Sequence, residues 1–436
     1  MSFSNLSQLR EELNKTSGVE ILNKFFDDGS FCETDALLKT ESDFAEAVTG
    51  YGTVMGVPVY AFAQNCDVAS GAMSKLQSKK IARLYDLAKA TGAPVVGFFD
   101  SCGGRLEEKN DLLAAYGEIL GRASSISGVV PQLAVVLGTC LGTSALIASS
   151  SDFIVMTKDA ELSINVTGED SSAQCNAQCG IANIVCEDKD EAIKSAQDLI
   201  TYFPSNNLDV APTDDALNPV DNAECTVCSI ADAQSLCFIN EDYSDSVTTA
   251  FGRVNGETVA FVSTSGDIID CKAAQKIAKI VSFADAFSIP VVTVVDAKGF
   301  KSLKSAAKVT SVYAEATTAK IAIIKGEAVG SVYIALAGEA SGADVRYAVE
   351  GAVISPINPK ALAFIMDSEA MKVKVEDQDK VANEFAQREL NAVNAAVNGY
   401  IDDVVADTQL RAKVVSALDM LSSKRVETLP KKHSTI

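Results

Sequence analysis

The sequence repeats itself, and this internal duplication constrains the fold more than any other feature. Four stretches of the first half return in the same order in the second half. The matching pairs are YGTVMGVPVYAFA with FGRVNGETVAFVS, LAKATGAPVVGFFD with FADAFSIPVVTVVD, QLAVVLGTCLGTSAL with KIAIIKGEAVGSVYI, and SSDFIVMTKDAELSIN with GADVRYAVEGAVISPIN. Such self-similarity indicates one structural unit that occurs twice. We therefore predict two similar domains, residues 1–218 and 219–436.

Within each unit the pattern predicts alternating strands and helices. A hairpin-like strand pair is followed by a helix such as SKLQSKKIARLYDLAKA and then by a buried strand, PVVGFFD or PVVTVVD. A second helix, another apolar strand and a glycine turn into a short helix follow. Short apolar strands that alternate with helices are typical of parallel β-α-β units, so the predicted fold class is α/β. The polar segment SNNLDVAPTDDALNPVDN is the expected linker between the halves.

The charge and the apolar segments narrow the classes of partner. The chain has 436 residues and a net charge of −21, which argues against nucleic acid or an anionic membrane as the main partner. The most apolar region, VVPQLAVVLGTCLGTSALIASS, is interrupted too often by polar residues, proline and glycine for a membrane span. The start, MSFSNLSQLREELNKT, is polar and unlike a secretory signal. The predicted location is the cytoplasm.

The numbers and positions of cysteine and histidine argue against a metal site and against catalysis by histidine. The eleven cysteines are an odd number in a chain without an export signal, and reduced thiols are the expectation. Cys175, Cys179, Cys225 and Cys228 could in principle hold zinc, but the two pairs lie far apart in the sequence, and we predict no metal. The one histidine, His433, lies near the C-terminus, which argues against catalysis through imidazole.

Two glycine turns are candidates for catalysis without a titrating side chain. GTCLGTSALIASS follows an apolar strand and opens a helix, and GEAVGSVYIAL does the same in the second half. Such a turn points free backbone N–H groups beyond the strand end, where they can stabilise a developing oxyanion. The alternative is that each glycine only allows the helix to pack closely on the sheet. Two turns at matching positions favour a pair of oxyanion sites.

Two further loops could contact a ligand. In DSCGGRLEE, Gly103 and Gly104 permit close backbone approach, and Arg105 is either an anion-binding side chain or one that is solvated or used in a salt bridge. In DVASGAMSK, Gly71 and Ala72 precede a helix with several lysines. These lysines either meet phosphates or form an exposed basic face.

These stretches resemble the carboxyltransferase subunits of biotin-dependent acyl-CoA carboxylases and decarboxylases. The resemblance covers most of the chain and includes VTGYGTVMGVPVYAFAQ, ATGAPVVGFFDSCGGR and FADAFSIPVVTVVDAKGF. It is most specific at the end, NGYIDDVVADTQLRAKVVSALDMLSSKRVETLPKKH. The family includes propionyl-CoA carboxylase beta and methylmalonyl-CoA decarboxylase alpha subunits.

The resemblance implies a fold, an assembly and a reaction. The fold would be two tandem crotonase-like β-α-β superhelix domains, assembled as a homo-oligomer, either a dimer or a trimer of dimers. The N-terminal half would bind acyl-CoA and the C-terminal half biotin, which a separate biotin carboxyl carrier protein supplies. Carboxybiotin would release CO2, its ureido nitrogen would take the α-proton of the thioester, and the enolate, stabilised by backbone N–H groups, would attack CO2. Further implied partners are a biotin carboxylase or a membrane decarboxylase subunit.

The family's site residues map onto individual positions of this chain. The resemblance assigns the N-half oxyanion site to Gly142 and Thr143, and the C-half site to Ser331 and Val332. It also assigns substrate contacts to seven further residues and matches a family lysine to a lysine of the C-half helix. Those further positions are Gly71, Ala72, Gly103, Gly104, Arg105, Gly330, Ile334 and Lys276. Ile334 would lie at the acyl end of the pocket and favour a small apolar acyl group.

Three functions remain open from the sequence. The first is carboxyl transfer to a short acyl-CoA, and the second is the reverse use of that chemistry in a decarboxylase coupled to a membrane sodium pump. The third is a non-catalytic scaffolding paralogue, because Thr143, Ser331 and Val332 stand where the family has smaller residues.

One motif points to the chain itself as a biotin carrier. SEAMKVKVED places Lys372 after Ala-Met, as in biotinylated hairpins. Its flanks are rich in helix formers and have no glycine from Gly351 to Gly399, whereas a hairpin tip needs turn residues. We therefore expect biotin on another protein and not on Lys372.

Overall fold

The computed structural model describes residues 6–38, 44–165, 168, 170–220, 225–266, 268–366, 374 and 377–426. The chain divides into two compact units, residues 1–212 and 213–436. The domain boundary between residues 218 and 219 stays a prediction. Lys372 and His433 lie outside the described residues.

The first unit is built on a sheet of eight strands. Its strands follow the order β1-β2-β3-β4-β5-β6-β8, and β7 pairs with the end of β5. The strands are β1 (Cys32–Thr34), β2 (Ala47–Val54), β3 (Val57–Gln64), β4 (Val95–Ser101), β5 (Gln132–Leu141), β6 (Phe153–Thr157), β7 (Glu161–Ser163) and β8 (Ile184–Cys186). The helices are α1 (Leu6–Leu13), α2 (Ser17–Phe25), α3 (Lys75–Thr91), α4 (Asp111–Ser125), α5 (Thr143–Ser149), α6 (Ala173–Gln178) and α7 (Lys189–Tyr202).

The second unit has the same order of equivalent strands, β9-β10-β11-β13-β15-β16-β18, with β17 beside the end of β15. The strands are β9 (Cys237–Ile239), β10 (Val247–Val254), β11 (Glu257–Thr264), β12 (Ile268–Ile269), β13 (Val291–Ala297), β14 (Gly299–Phe300), β15 (Lys320–Val329), β16 (Val345–Val349), β17 (Val353–Ser355) and β18 (Asp403–Val405). The helices are α8 (Thr226–Ile230), α9 (Cys271–Ala286), α10 (Leu303–Glu315), α11 (Ser331–Leu336), α12 (Pro359–Met366), α13 (Gln378–Glu389), α14 (Ala392–Val397) and α15 (Leu410–Leu421).

The strand pairing explains the two kinds of strand in the sequence. The hairpin strands β2 and β3 pair antiparallel, whereas β3, β4, β5 and β6 pair parallel. The central strand β4 is buried at six of its seven residues, because helices cover such a sheet on both faces. The carboxyl ends of the parallel strands therefore meet at one edge, where the candidate residues lie.

Local signals fix the ends of the helix before β4. The Ser74 side chain accepts a hydrogen bond from the backbone N–H of Gln77 at the start of α3, and Gly92 ends the helix in the left-handed conformation. A serine N-cap and a glycine C-cap are the usual helix boundaries. The helix lies within one residue of where the sequence places it.

The structure also tests what the sequence predicted for the linker, the cysteines and membrane-spanning helices. Residues 205–220 form no helix or strand, as expected for a linker. Cys225 and Cys228 form a disulfide at the start of α8, so these two cysteines are not the reduced thiols that the sequence predicted. Among the described residues, no group of three or more histidine, cysteine or acidic side chains is arranged to hold a metal ion. Within the same ranges, no helix combines the length and apolarity needed to cross a membrane.

Candidate functional site

The first glycine turn connects β5 to α5. Gly142 has φ 66° and ψ −136°, a conformation that favours glycine, and a Cβ at this position would meet nothing within 4 Å. Its N–H donates to the carbonyl oxygen of Ser163 on β7, at 2.9 Å. The backbone N–H groups of Thr143 and Ser144 begin the helix, where the first N–H groups have no partner one turn back, and the N–H of Ala145 is the first to bond back, to the carbonyl oxygen of Gly142 at 3.1 Å. The turn therefore presents N–H groups beside open space.

The second unit has the same turn in the same place. Gly330 has φ 53° and ψ −114°, and its N–H donates to the carbonyl oxygen of Ser355 on β17 at 2.8 Å. Here a Cβ would lie 2.9 Å from the carbonyl oxygen of Pro356, so glycine is required for space as well as for conformation. The structure thus reproduces the turn, its hydrogen bond and the strand that receives it in both units.

The side chains after the two glycines have different environments. Thr143 is half-buried and Ser331 is exposed, so both can face a ligand. Val332 is fully buried and packs in the core of its unit. The valine side chain therefore does not crowd the turn, and only its backbone is available there.

The predicted loop residues of the N-half come together at the end of β4. Gly71 has φ 66°, and a Cβ on it would lie 2.2 Å from the carbonyl oxygen of Asp100. Ala72 is buried next to it. The N–H of Met73 donates to the carbonyl oxygen of Gly103 at 2.8 Å, and Met73 forms a parallel bridge with Gly104. The two loops that were selected separately from the sequence are therefore neighbours.

The backbone of the first of these loops is strained. Ala69 and Ser70 have φ angles of 47° and 52°, so two side-chain-bearing residues and Gly71 adopt left-handed conformations in succession. Such residues cluster at functional sites, because only a well-packed surrounding structure maintains them.

Arg105 is used in a salt bridge. Its Nε lies 2.5 Å from Oε1 of Glu46, which is buried, and the Ser74 hydroxyl donates to Oε2 of Glu46 at 2.6 Å. Of the two roles expected for Arg105, the structure gives the salt-bridged one. Anion binding by this side chain would have to compete with a buried carboxylate.

A tyrosine that the sequence did not single out lies between the loop and the turn. A Cβ on Gly104 would lie 3.2 Å from the hydroxyl oxygen of Tyr116, and that hydroxyl is 3.4 Å from the hydroxyl oxygen of Ser144 in α5. Burial raises the pKa of Tyr116, so its hydroxyl stays protonated. Tyr116 lies in the middle of α4, and no sequence signal marks one polar atom on a helix face that packs into the core.

The C-half turn borders a cavity of about 430 Å³. Its walls combine apolar side chains with three asparagines, two tyrosines and one glutamate. The principal lining residues are Gly330, Ile334, Ile354, Leu390, Asn391 and Tyr400. Ile334 is 52% exposed, so its side chain is available to a ligand in this cavity.

The lysines of α3 have different environments, since Lys75 and Lys79 are exposed on the helix surface whereas Lys80 is not. Lys80 is buried, and its ammonium lies 3.7 Å from the carboxylate of Glu33. At the corresponding position of α9, Lys276 is also buried and donates to the carbonyl oxygen of Ser244 at 3.3 Å. Burial lowers the pKa of Lys276 to about 8, although nearby carboxylates oppose this.

The chain is similar to known proteins over nearly its whole length. Residues 12–436 match the family model described as the carboxyl transferase domain. The chain is 32% identical to the methylmalonyl-CoA decarboxylase subunit alpha of Veillonella parvula, over 97% of this chain and 93% of that protein. It is also 32% identical to the methylmalonyl-CoA carboxyltransferase 12S subunit of Propionibacterium freudenreichii subsp. shermanii, over 96% and 91%.

A solved structure agrees with these sequence matches. The crystal structure of a transcarboxylase 12S hexamer with methylmalonyl-coenzyme A and methylmalonic acid bound matches with a TM-score of 0.88 and 30% identity. The match covers 98% of this chain and 94% of that one.

Proposed function

The chain belongs to the carboxyl transferase domain family, and we propose that it moves a carboxyl group between biotin on a separate carrier protein and a short-chain acyl-CoA. Two tandem crotonase-like domains, the fold that the resemblance implied, are confirmed by the structural match. The match to biotin-dependent carboxyltransferases also confirms the enzyme class. The acyl group, the carrier and the roles of individual residues are proposals.

The observation that carries the proposal is the duplicated glycine turn. Both turns follow the long strand of their sheet, and in both the glycine N–H is bonded to the neighbouring short strand. A reaction between a thioester and a urea develops negative charge on two oxygens, and two sets of backbone N–H groups can stabilise both. This chemistry needs no histidine, which agrees with a chain whose one histidine lies near its C-terminus.

In this proposal, the head group of biotin would occupy the cavity beside Gly330. A fused bicyclic urea needs apolar walls and polar groups at one end; Ile354 and Leu390 would supply the first and the hydroxyl of Tyr400 the second. Biotin would bring the carboxyl group and a ureido nitrogen that exchanges a proton with the substrate. The N–H groups at Ser331 and Val332 would bind the ureido oxygen and orient it.

In the N-half, the proposed role of the protein is to bind and orient the thioester. The N–H groups at Gly142 and Thr143 would stabilise the thioester oxygen as it gains charge. The backbone of Gly71, Ala72, Gly103 and Gly104 would contact the rest of acyl-CoA, because these loops lie at the same strand ends. Ile334 lies in the C-half cavity, and its role in favouring a small apolar acyl group is what the family resemblance implies.

Partners and assembly follow from the same proposal. A biotin carboxyl carrier protein would deliver biotin, and the protein would act as a homo-oligomer, as the hexameric 12S relative does. The decarboxylase relative in Veillonella shares the transfer step, so the direction of the reaction depends on whether a biotin carboxylase or a membrane subunit completes the complex.

An exchange assay tests the proposal. Purified protein is incubated with free biotin or a carrier protein and with acetyl-, propionyl-, malonyl- and methylmalonyl-CoA, and transfer of labelled carboxyl groups is followed. We expect exchange with propionyl- and methylmalonyl-CoA. No exchange with any ester, together with no binding of acyl-CoA by calorimetry, would favour the non-catalytic scaffold instead.

A further inference from the structure

An aspartate interrupts the strand pairing at the same place in both units. On β4, Phe99 pairs with Val136 and Ser101 with Cys140, so Asp100 alone faces residues 137–139 of β5. In the second unit, Val295 pairs with Ile324 and Ala297 with Ala328, so Asp296 alone faces residues 325–327 of β15. The long strand therefore bulges by two extra residues opposite each aspartate.

Each aspartate carboxylate occupies the space beside the glycine in the bulge. A Cβ on Gly138 would lie 2.4 Å from Oδ1 of Asp100, and a Cβ on Gly326 would lie 2.3 Å from Oδ1 of Asp296. No side chain fits there while the carboxylate remains. In the second unit the carboxylate also bonds to the bulge, because the N–H of Glu327 donates to Oδ1 of Asp296 at 2.9 Å.

The backbone of each aspartate is hydrogen-bonded to a side chain of the neighbouring strand. The N–H of Asp100 donates to Oε1 of Gln64 at 3.1 Å, and the N–H of Asp296 donates to the hydroxyl oxygen of Thr264 at 2.6 Å. Gln64 and Thr264 are the last residues of β3 and β11. The Cys66 thiol donates to the Asp100 carboxylate at 3.3 Å, and Lys189 pairs with it from the surface at 3.5 Å.

The bulge determines where the glycine turn lies. Beyond it, residues 139–141 of β5 pair with β7, and residues 327–329 of β15 pair with β17. The turn glycine follows directly and bonds to the last residue of that short strand. Only three residues separate Gly138 from Gly142, and the same spacing separates Gly326 from Gly330. A shift of the bulge would therefore move the N–H groups of the turn.

We propose that Asp100 and Asp296 are positioning residues, which fix the bulge and thereby aim the N–H groups of the two glycine turns at the reacting oxygens. This inference rests on the proposed function for its catalytic consequence. The carboxylates act through the strand and do not touch substrate. Because each aspartate positions the turn of its own unit, the same role can be tested independently in both units.

Paired substitutions separate this role from general stability. Asp100→Asn and Asp296→Asn keep the size and one oxygen acceptor, whereas Asp100→Ala and Asp296→Ala leave the bulge glycine unsupported. We expect each alanine variant to lower kcat of carboxyl exchange by about 100-fold, the effect of a displacement of about 1 Å, with KM for acyl-CoA changed little. The asparagine variants should recover most of that loss.

Hydrogen–deuterium exchange of the full-length protein gives a readout that does not depend on activity. Asp100→Ala should speed exchange in peptides covering residues 136–146 and leave residues 324–334 as in the wild type. Asp296→Ala should do the reverse. Gly326→Ala, which adds a colliding Cβ, should disturb the same peptide as Asp296→Ala.

The outcomes distinguish this inference from the proposed function. Unchanged exchange at the turns in both alanine variants overturns the positioning role, whatever happens to kcat. So does a full loss of activity in the asparagine variants, because it would require the charge itself. If the wild type transfers no carboxyl group, the proposed function fails, and the deuterium exchange pattern still decides whether the aspartates hold the turns.

Discussion

The buried Lys276 should make the stability of the second unit increase with pH. Lys276 is 5% exposed, its ammonium donates to the carbonyl oxygen of Ser244, and the carboxylates of Glu241, Asp242 and Asp245 attract its charge. Burial lowers its pKa to about 8 in the folded protein, from the ordinary 10.5 that applies to the unfolded chain.

The sign follows from which state holds the proton. Below pH 8 the lysine is charged in both states, and above 10.5 it is neutral in both. Between these values the unfolded chain keeps a proton that the folded protein has released, so the free energy of unfolding increases with pH. Each pKa unit corresponds to about 1.4 kcal/mol. Allowing for water that reaches the amine, we expect a gain of about 2 to 3 kcal/mol between pH 7.5 and 10.5.

Urea unfolding of the wild type and of Lys276→Met at half-unit steps from pH 7 to pH 10.5 measures this contribution. The difference between the two proteins removes all other titrating groups. We expect the free energy of unfolding of the wild type to increase relative to that of Lys276→Met as pH increases through this window. Lys272→Met, at an exposed position of the same helix, is the control and should follow the wild type. A constant difference between wild type and Lys276→Met, or one that falls with pH, would refute the reasoning.

Two pairs of substitutions, each a test and its control, examine other features of the protein. Val332→Ala should lower the free energy of unfolding by about 2 kcal/mol, and Tm by about 5 °C, because it deletes fully buried methyl groups. Ile334→Ala, at an exposed position, is the control and should change neither quantity much. Calorimetry measures both variants. An equal loss in both would contradict the buried placement of the valine. Gly71→Ala should cost more in urea unfolding than Gly56→Ala, since both residues have positive φ but only Gly71 faces a backbone oxygen, that of Asp100. Equal costs would show that the collision is relieved without strain.

The duplication allowed much of the fold to be predicted. The repeated segments YGTVMGVPVYAFA and FGRVNGETVAFVS became equivalent hairpins, and the strand order is the same in both units. The glycine turns were also found, because a glycine between an apolar strand and a short helix is a local signal. These features depend on neighbouring residues in the chain, and such information is present in a single sequence.

Features that depend on distant contacts could not be predicted. Arg105 pairs with Glu46, which lies far away in the chain, so the sequence could offer the salt bridge only as one of two alternatives. The burial of Val332 was hidden because a helix of six residues is too short to show a periodic apolar face. Asp100 and Asp296 were visible as matching strand ends, but the bulge that gives them a role exists only in the register between strands.

The short strands at the edges of the two sheets have a consequence for association. The edge strands β1, β8, β9 and β18 each have three residues. Edges this short offer few unpaired backbone groups to another chain, which protects against edge-to-edge aggregation and amyloid-like growth. Any association between copies of this chain would therefore use side chains on helices and loops, while the sheets stay closed to further strands.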